Sequence, residues 1–242
     1  MDIYVQSSGR EHGYYWLAEG ETRFEAGKIH NFPILQQARY LINTQDFSIV
    51  LYRLEGKLLL LLTGLSTQRQ DRMHRYIKNS IAWIGNNNDD EIILREISAL
   101  TLSNNFQILK ILNGAVSHAE DPRQFKVDWK AIKGLIQVSR IRCKPLPYQE
   151  KRSKMARVSD ARKQELIETL MKYNLPSRDG GLLVLTTANN KKILEKARVW
   201  RALSTDNRIG EYWEPTSKNI FQKLVSIVSK LLRKLKRIFI ND

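Results

Sequence analysis

The segment from Gln45 to Leu62 constrains the fold more than any other part of the chain. Gln45–Leu54 reads as one strand, Glu55-Gly56-Lys57 as a tight turn, and Leu58–Leu62 as a second strand. Two apolar runs separated by a short glycine-bearing turn predict a β-hairpin. The run Lys57–Leu65 is the most apolar inside the chain. It is far shorter than the roughly 20 residues that span a bilayer, so it predicts a buried strand.

Other elements are arranged around that hairpin. Met1–Ser7 starts a strand, and Gly9 and Gly13 punctuate the approach to Tyr14-Tyr15-Trp16-Leu17; Glu19–Asn31 reads as a loop. Between Gly64 and Gly85, the first half reads as a charged loop and the second as a strand carrying Ile77, Ile81 and Trp83. Asn88-Asp89-Asp90 can cap a helix over 91–102. Further helices are predicted from 106 to 116, 127 to 138 and 159 to 173. Gly180-Gly181 precedes the compact strand Leu182–Thr186, and Asn189-Asn190 can cap a helix from Lys191 to Leu203.

The expected fold is α/β, a mixed sheet with flanking helices and a C-terminal basic amphipathic helix. An N-terminal α/β region covers 1–142 and a basic linker with Pro145 and Pro147 covers 143–158. A second α/β region, integrated with the first or separate from it, covers 159–215, and a helical tail covers 216–242.

The tail shows the clearest two-sided pattern. At helical spacing Ile220, Leu224, Ile227, Val228, Leu231, Leu235 and Ile238 share a face, and Lys223, Lys230, Arg233, Lys234 and Arg237 occupy the other. The chain carries a formal net charge of +15, a balance that favours acidic or phosphate-rich partners. Docking is expected through Lys223, Leu224, Lys230, Leu231, Arg233, Lys234, Leu235 and Arg237, to a protein partner, an anionic membrane surface or a nucleic acid. The charges recur along the whole tail, so contact with lipid would be interfacial.

Cys143 is the one cysteine, which rules out an intrachain disulfide and a cysteine-rich metal site and suits a reducing cytoplasm. Met1-Asp2-Ile3 leads straight into a strand, without the basic segment and apolar run of a signal peptide. A cytoplasmic location is expected, including the inner face of the membrane. His12, His30, His74 and His118 form no zinc pair, and Asp89, Asp90 and Glu91 suit a helix start better than a metal. No phosphate-binding P-loop or dinucleotide fingerprint occurs, so no cofactor is expected.

The polar group with most chemistry is Arg69, Asp71, Arg72, His74, Arg75, Lys78 and Asn79. Arg69, Arg72, Arg75, Lys78 and Asn79 can grip a phosphate, while Asp71 or His74 can orient a ligand or move a proton. The competing reading is a charged surface loop with an internal Asp71–arginine salt bridge. Arg10 and Tyr14 form another candidate ligand pair. Arg198-Val199-Trp200-Arg201 and Tyr212-Trp213 can stack bases, or Trp200 can pack a helix on the sheet.

Ile3–Ser7, Asp71–Ser80 and Val199–Leu203 resemble short blocks in uncharacterised bacterial proteins that accompany NTPase-based conflict systems. The resemblance implies an accessory or effector-linked protein in bacterial defence, with Arg72, Arg75 and Asn79 as a shared ligand or partner site. The expectation is a non-catalytic docking protein. The alternatives are a nucleic-acid-binding protein, or a nucleotide- or phosphodiester-processing enzyme built on the central Arg/Asp/His group.

Overall fold

A computed structural model describes residues 1–21, 32–86, 90–103, 106–138, 153–187, 191–206 and 209. The strands are β1 (Asp2–Ser7), β2 (Tyr15–Ala18), β3 (Ser48–Leu54), β4 (Lys57–Gln70), β5 (Tyr76–Asn86), β6 (Val116–His118), β7 (Phe125–Val127), β8 (Lys154–Arg157), β9 (Gly180–Thr186) and β10 (Arg201–Ser204). The helices are α1 (Pro33–Tyr40), α2 (Glu91–Leu102), α3 (Phe106–Gly114), α4 (Trp129–Val138), α5 (Asp160–Lys172) and α6 (Lys191–Lys196).

The fold is α/β. Eight strands form one mixed sheet in the order β2-β1-β5-β4-β3-β9-β10-β8, and β6 and β7 form a separate ribbon. The pairs from β2 to β9 are antiparallel, whereas β9, β10 and β8 run parallel. Because β9 pairs with β3, the second α/β region continues the sheet of the first.

The leucine run of β4 is buried because both faces of the sheet are covered. Leu58, Leu60 and Leu62 pack in a cluster that includes α2 through Leu94 and Ile97, α3 through Ile108 and Leu112, and α5 through Leu166 and Leu170. Leu59 and Leu61 pack on the other face with Ile34, Leu35 and Ala38 of α1 and Leu194 of α6. A side-chain period of two sends successive leucines to opposite faces, so an unbroken run fits a strand in the middle layer of three.

Several expectations change. Residues 65–70 are strand rather than charged loop: Leu65, Thr67 and Arg69 point inward while Ser66 and Gln68 are exposed. The tip is therefore limited to 71–75. The helix expected from Lys191 to Leu203 ends at Lys196, and Arg201–Ser204 is a strand between β9 and β8. Arg198 at φ 49° interrupts the helical path, and Ala202 and Leu203 then supply the two buried faces of β10.

Lys154–Arg157, expected within the linker, forms an edge strand; the linker residues 143–152 lie outside the described residues. Asp90 does not cap α2 with its side chain; its Oδ2 instead accepts from the Asn86 amide at 2.9 Å. Asp128 and Ser159 do cap, accepting from the amides of Ala131 at 2.9 Å and Arg162 at 3.4 Å. The tail at 216–242 lies outside the described residues, as do Cys143, His30, Asn88, Asp89 and the Asn189-Asn190 pair.

Candidate functional site

Three loops meet at one end of the sheet: 8–14 between β1 and β2, 71–75 at the tip of β4 and β5, and 119–124 between β6 and β7. Gly9 permits the first contact. A Cβ there would lie 2.4 Å from the Arg123 carbonyl carbon and 2.5 Å from Pro122 O, so only glycine lets the two backbones approach this closely. The Glu11 amide then donates to Pro122 O at 3.1 Å, and the Arg72 amide donates to Arg10 O at 3.0 Å.

Each tip is organised by its own carboxylate. Asp71 Oδ1 accepts from the amides of Met73 at 2.8 Å and Arg75 at 3.0 Å, and Oδ2 accepts from Arg75 Nε at 2.8 Å. These bonds, above all those from the Arg75 backbone and side chain, hold the Asp71 carboxyl below its usual range. Asp121 makes the corresponding set with Arg123, and the Arg123 side-chain bond leads the causes that bring it down to about 2. The expected Asp71–arginine pair is thus present, at 2.7 Å to Arg75 Nη2. With both oxygens engaged and its proton affinity lowered, Asp71 is better suited to shaping the loop than to moving a proton. His74 sits in the left-handed region at φ 60° within the same exposed turn.

Beneath the loops lies a buried polar cluster. Arg69 is only 7% exposed. Its Nη1 donates to Ser8 O at 3.1 Å, and its Nη2 donates to Asn79 Oδ1 at 2.8 Å and to Ser7 Oγ. Ser7 Oγ in turn donates to Asn79 Oδ1 at 2.7 Å. Every one of these acceptors is neutral, and no carboxylate among the described residues pairs with Arg69. Burial lowers the guanidinium to about 10, which still leaves it charged at neutral pH. Arg69 Nε and Asn79 Nδ2 are buried without a protein partner. A buried cation without a counter-ion is costly in a folded protein, and buried donors are nearly always satisfied.

Above this cluster opens a cleft of about 320 Å³, lined by residues that include Ser8, Arg10, Glu11, Tyr14, Asp71 and Arg72. Arg10 and Arg72 carry side chains with no ion pair among the described residues. Arg75 also lines the cleft, paired with Asp71. Lys78 lies beside it, its Nζ donating to Gln45 O at 2.5 Å. The Tyr14 hydroxyl accepts from the Lys78 amide at 3.1 Å, fastening the first loop to β5 beyond Ser80, where the pairing of β1 with β5 ends.

The expected ligand residues therefore divide in two. Arg72 and Arg75 reach the cleft, as do Arg10 and Tyr14, whereas Arg69 and Asn79 form its buried support. No sequence pattern singles out Ser7, Ser8 or His118 for this site: the tertiary fold brings Ser7 and Ser8 into hydrogen bonds with Arg69 and His118 within reach of its charge. Val199, Trp200 and Arg201 are buried, and the Arg201 guanidinium lies 4.2 Å from the Trp200 ring centroid. This placement favours packing over base stacking for Trp200. Glu91 is turned toward Arg53, and no group of three metal-ligating residues occurs among the described residues.

His118 reports on the local field. Burial, followed by the charges of Arg10 and Arg69, lowers its pKa below 6.5. The unfolded chain therefore takes up this proton first, and stability on this account declines as pH falls below about 6.5. Binding an anion beside Arg10 and Arg69 should offset their field and raise the His118 pKa. Following its ring carbon-bound proton by NMR through a pH titration, with and without 10-fold excess pyrophosphate, tests this; an unchanged midpoint would count against the site.

Compared with protein-family models, curated proteins and solved structures, the chain matches none.

Proposed function

We propose that this chain is an accessory protein that recognises a phosphate-bearing ligand in the three-loop cleft. The observation that carries the reading is Arg69: a buried, charged guanidinium held by neutral acceptors, behind a cleft with two arginines that form no ion pair among the described residues. Such a site is pre-organised. Neutral acceptors fix the fork of Arg69 while its charge remains available to an anion, and Arg10 and Arg72 provide outer contacts of the kind that suit phosphate oxygens.

The resemblance of Ile3–Ser7 and Asp71–Ser80 to blocks in conflict-system proteins supports an accessory role, since these two blocks contain Ser7 and Asn79. The composition of the tail supports a separate docking function, with a protein partner or an anionic membrane as its target.

Calorimetric titration with inorganic pyrophosphate tests the reading. Saturable binding is expected, weakened about 10-fold by Arg10→Ala and by Arg72→Ala, as for loss of one charge-assisted hydrogen bond. Lys230→Ala/Lys234→Ala, altering only the tail, should leave this binding unchanged. If the tail variant abolishes binding and the cleft variants retain it, the cleft is not the site.

A further inference from the structure

Resting on the anion-recognition reading, we propose that the natural ligand of the cleft is a single-stranded nucleic acid. The observation is where the exposed apolar side chains lie. Large apolar side chains are conspicuously exposed at Met1, Tyr14, Tyr40, Met73 and Tyr76 among the described residues. Three of these, Tyr14 at 42%, Met73 at 65% and Tyr76 at 63% exposed, belong to the loop end that carries Arg10 and Arg72.

The Tyr14 hydroxyl and Tyr76 both meet the first residues of β5. The Tyr14 hydroxyl accepts from the Lys78 amide at 3.1 Å, and Tyr76 lies two residues from Lys78 along the strand. One strand step of that kind spans about 7 Å, a distance over which neighbouring bases in an extended strand can engage separate rings. Arg10 and Arg72 lie on the cleft side to meet the phosphates between them.

Rings and guanidinium groups together select this ligand over others of the same charge. Free phosphate or pyrophosphate uses the arginines and leaves the rings exposed. A duplex has its base faces stacked internally, so tyrosines have nothing to cover. Unpaired bases offer faces to tyrosine without regard to sequence, while the phosphates meet the cations. An acidic membrane would also use the charges, but the exposed apolar groups here are two phenols and one thioether, without the leucine, phenylalanine or tryptophan that embeds an interfacial surface.

The test compares a fluorescent eight-nucleotide thymidine strand with an abasic strand of identical length and charge, by anisotropy on the full chain. Wild type should bind the thymidine strand at least about 10-fold more tightly. Tyr14→Ala/Tyr76→Ala should bring the two strands to equal affinity, and Tyr76→Ala alone, at a residue outside the cleft lining, should reduce the preference and leave pyrophosphate binding unaltered. Tyr14→Phe, which keeps the ring and loses the hydroxyl, should retain the preference.

Equal binding of both strands by wild type overturns the inference, as does a preference that survives loss of both rings. Binding to vesicles of phosphatidylcholine and phosphatidylglycerol without binding to the thymidine strand also overturns it. In each case retained pyrophosphate binding would leave the anion reading standing, and its absence would remove that reading as well.

Discussion

Glu91→Ala is expected to lower the melting temperature by about 10 °C, the largest loss from a single side chain outside the hydrophobic core. Glu91 Oε2 accepts from Arg53 Nη2 at 2.8 Å, and Oε1 accepts from the Leu175 amide at 2.7 Å. Arg95 Nη1 lies 3.9 Å from Oε1 and also donates to Tyr173 O. Arg53 and Arg95 are both buried. Burial drives the Arg95 pKa down, and the Glu91 charge is the leading influence that opposes it.

One carboxylate thus serves two buried cations and joins β3, α2 and the segment after α5. Removing it takes the paired carboxylate from Arg53 and leaves Arg95 with the more weakly acting Glu96 charge, at a cost of about 3–5 kcal/mol. In a domain of this size, each kcal/mol is worth about 2–4 °C. Glu91→Gln retains an acceptor for Leu175 and should fall between the two proteins. A melting temperature for Glu91→Ala within about 2 °C of wild type would show that the arginines find other compensation.

Gly64→Ala is expected to be nearly as damaging and, unlike Glu91→Ala, to impair the cleft selectively. Gly64 lies at φ 64°, and an added Cβ would meet Asp46 C at 2.2 Å and Phe47 N at 2.4 Å. Both are backbone atoms, so a side-chain rotation cannot relieve the clash. Left-handed strain and overpacking together should cost about 3 kcal/mol or more.

The position also matters for function. Gly64 falls at the register shift between Leu62 and Leu65, where β4 passes the start of β3 and continues with β5 toward the loop tip. Displacing that crossing moves Arg69 relative to Ser7 and Asn79. In the fraction that remains folded, pyrophosphate affinity should fall at least about 10-fold, as for loss of a charge-assisted contact. Unchanged affinity in folded Gly64→Ala would separate the bulge from the site.

Local chemistry makes much of the fold legible in the sequence. The leucine run and its glycine turn pointed to the β3–β4 hairpin, and Ser159 marked the start of α5. The extension of that hairpin was hidden by Arg69, which reads as a loop charge although it occupies the inward position after Leu65 and Thr67. Strand β10 was concealed because Lys191–Lys196 begins with helical character and the positive φ at Arg198 is set by tertiary packing. The brace centred on Glu91 was equally obscure, since Arg53 and Leu175 are distant in sequence and a glutamate at a helix start has an ordinary local explanation.

The site was legible in part for the same reason. Arg69, Arg72, Arg75, Lys78 and Asn79 are close in the chain and share one hairpin. Which of them faces a cleft and which supports it depends on strand alternation past a register shift. Ser7, Ser8 and His118 enter only through β1, β6 and the loop contact allowed by Gly9. No spacing rule links them to Arg69.

Titrating pyrophosphate into isotopically labelled protein while observing the Arg69 Nε–H resonance tests the central claim most directly. Saturable shifts at Arg69, Ser8, Arg10 and Arg72, together with an upward movement of the His118 pKa, are the predicted result. Shifts confined to the tail, with Arg69 and His118 unmoved at saturation, would contradict it.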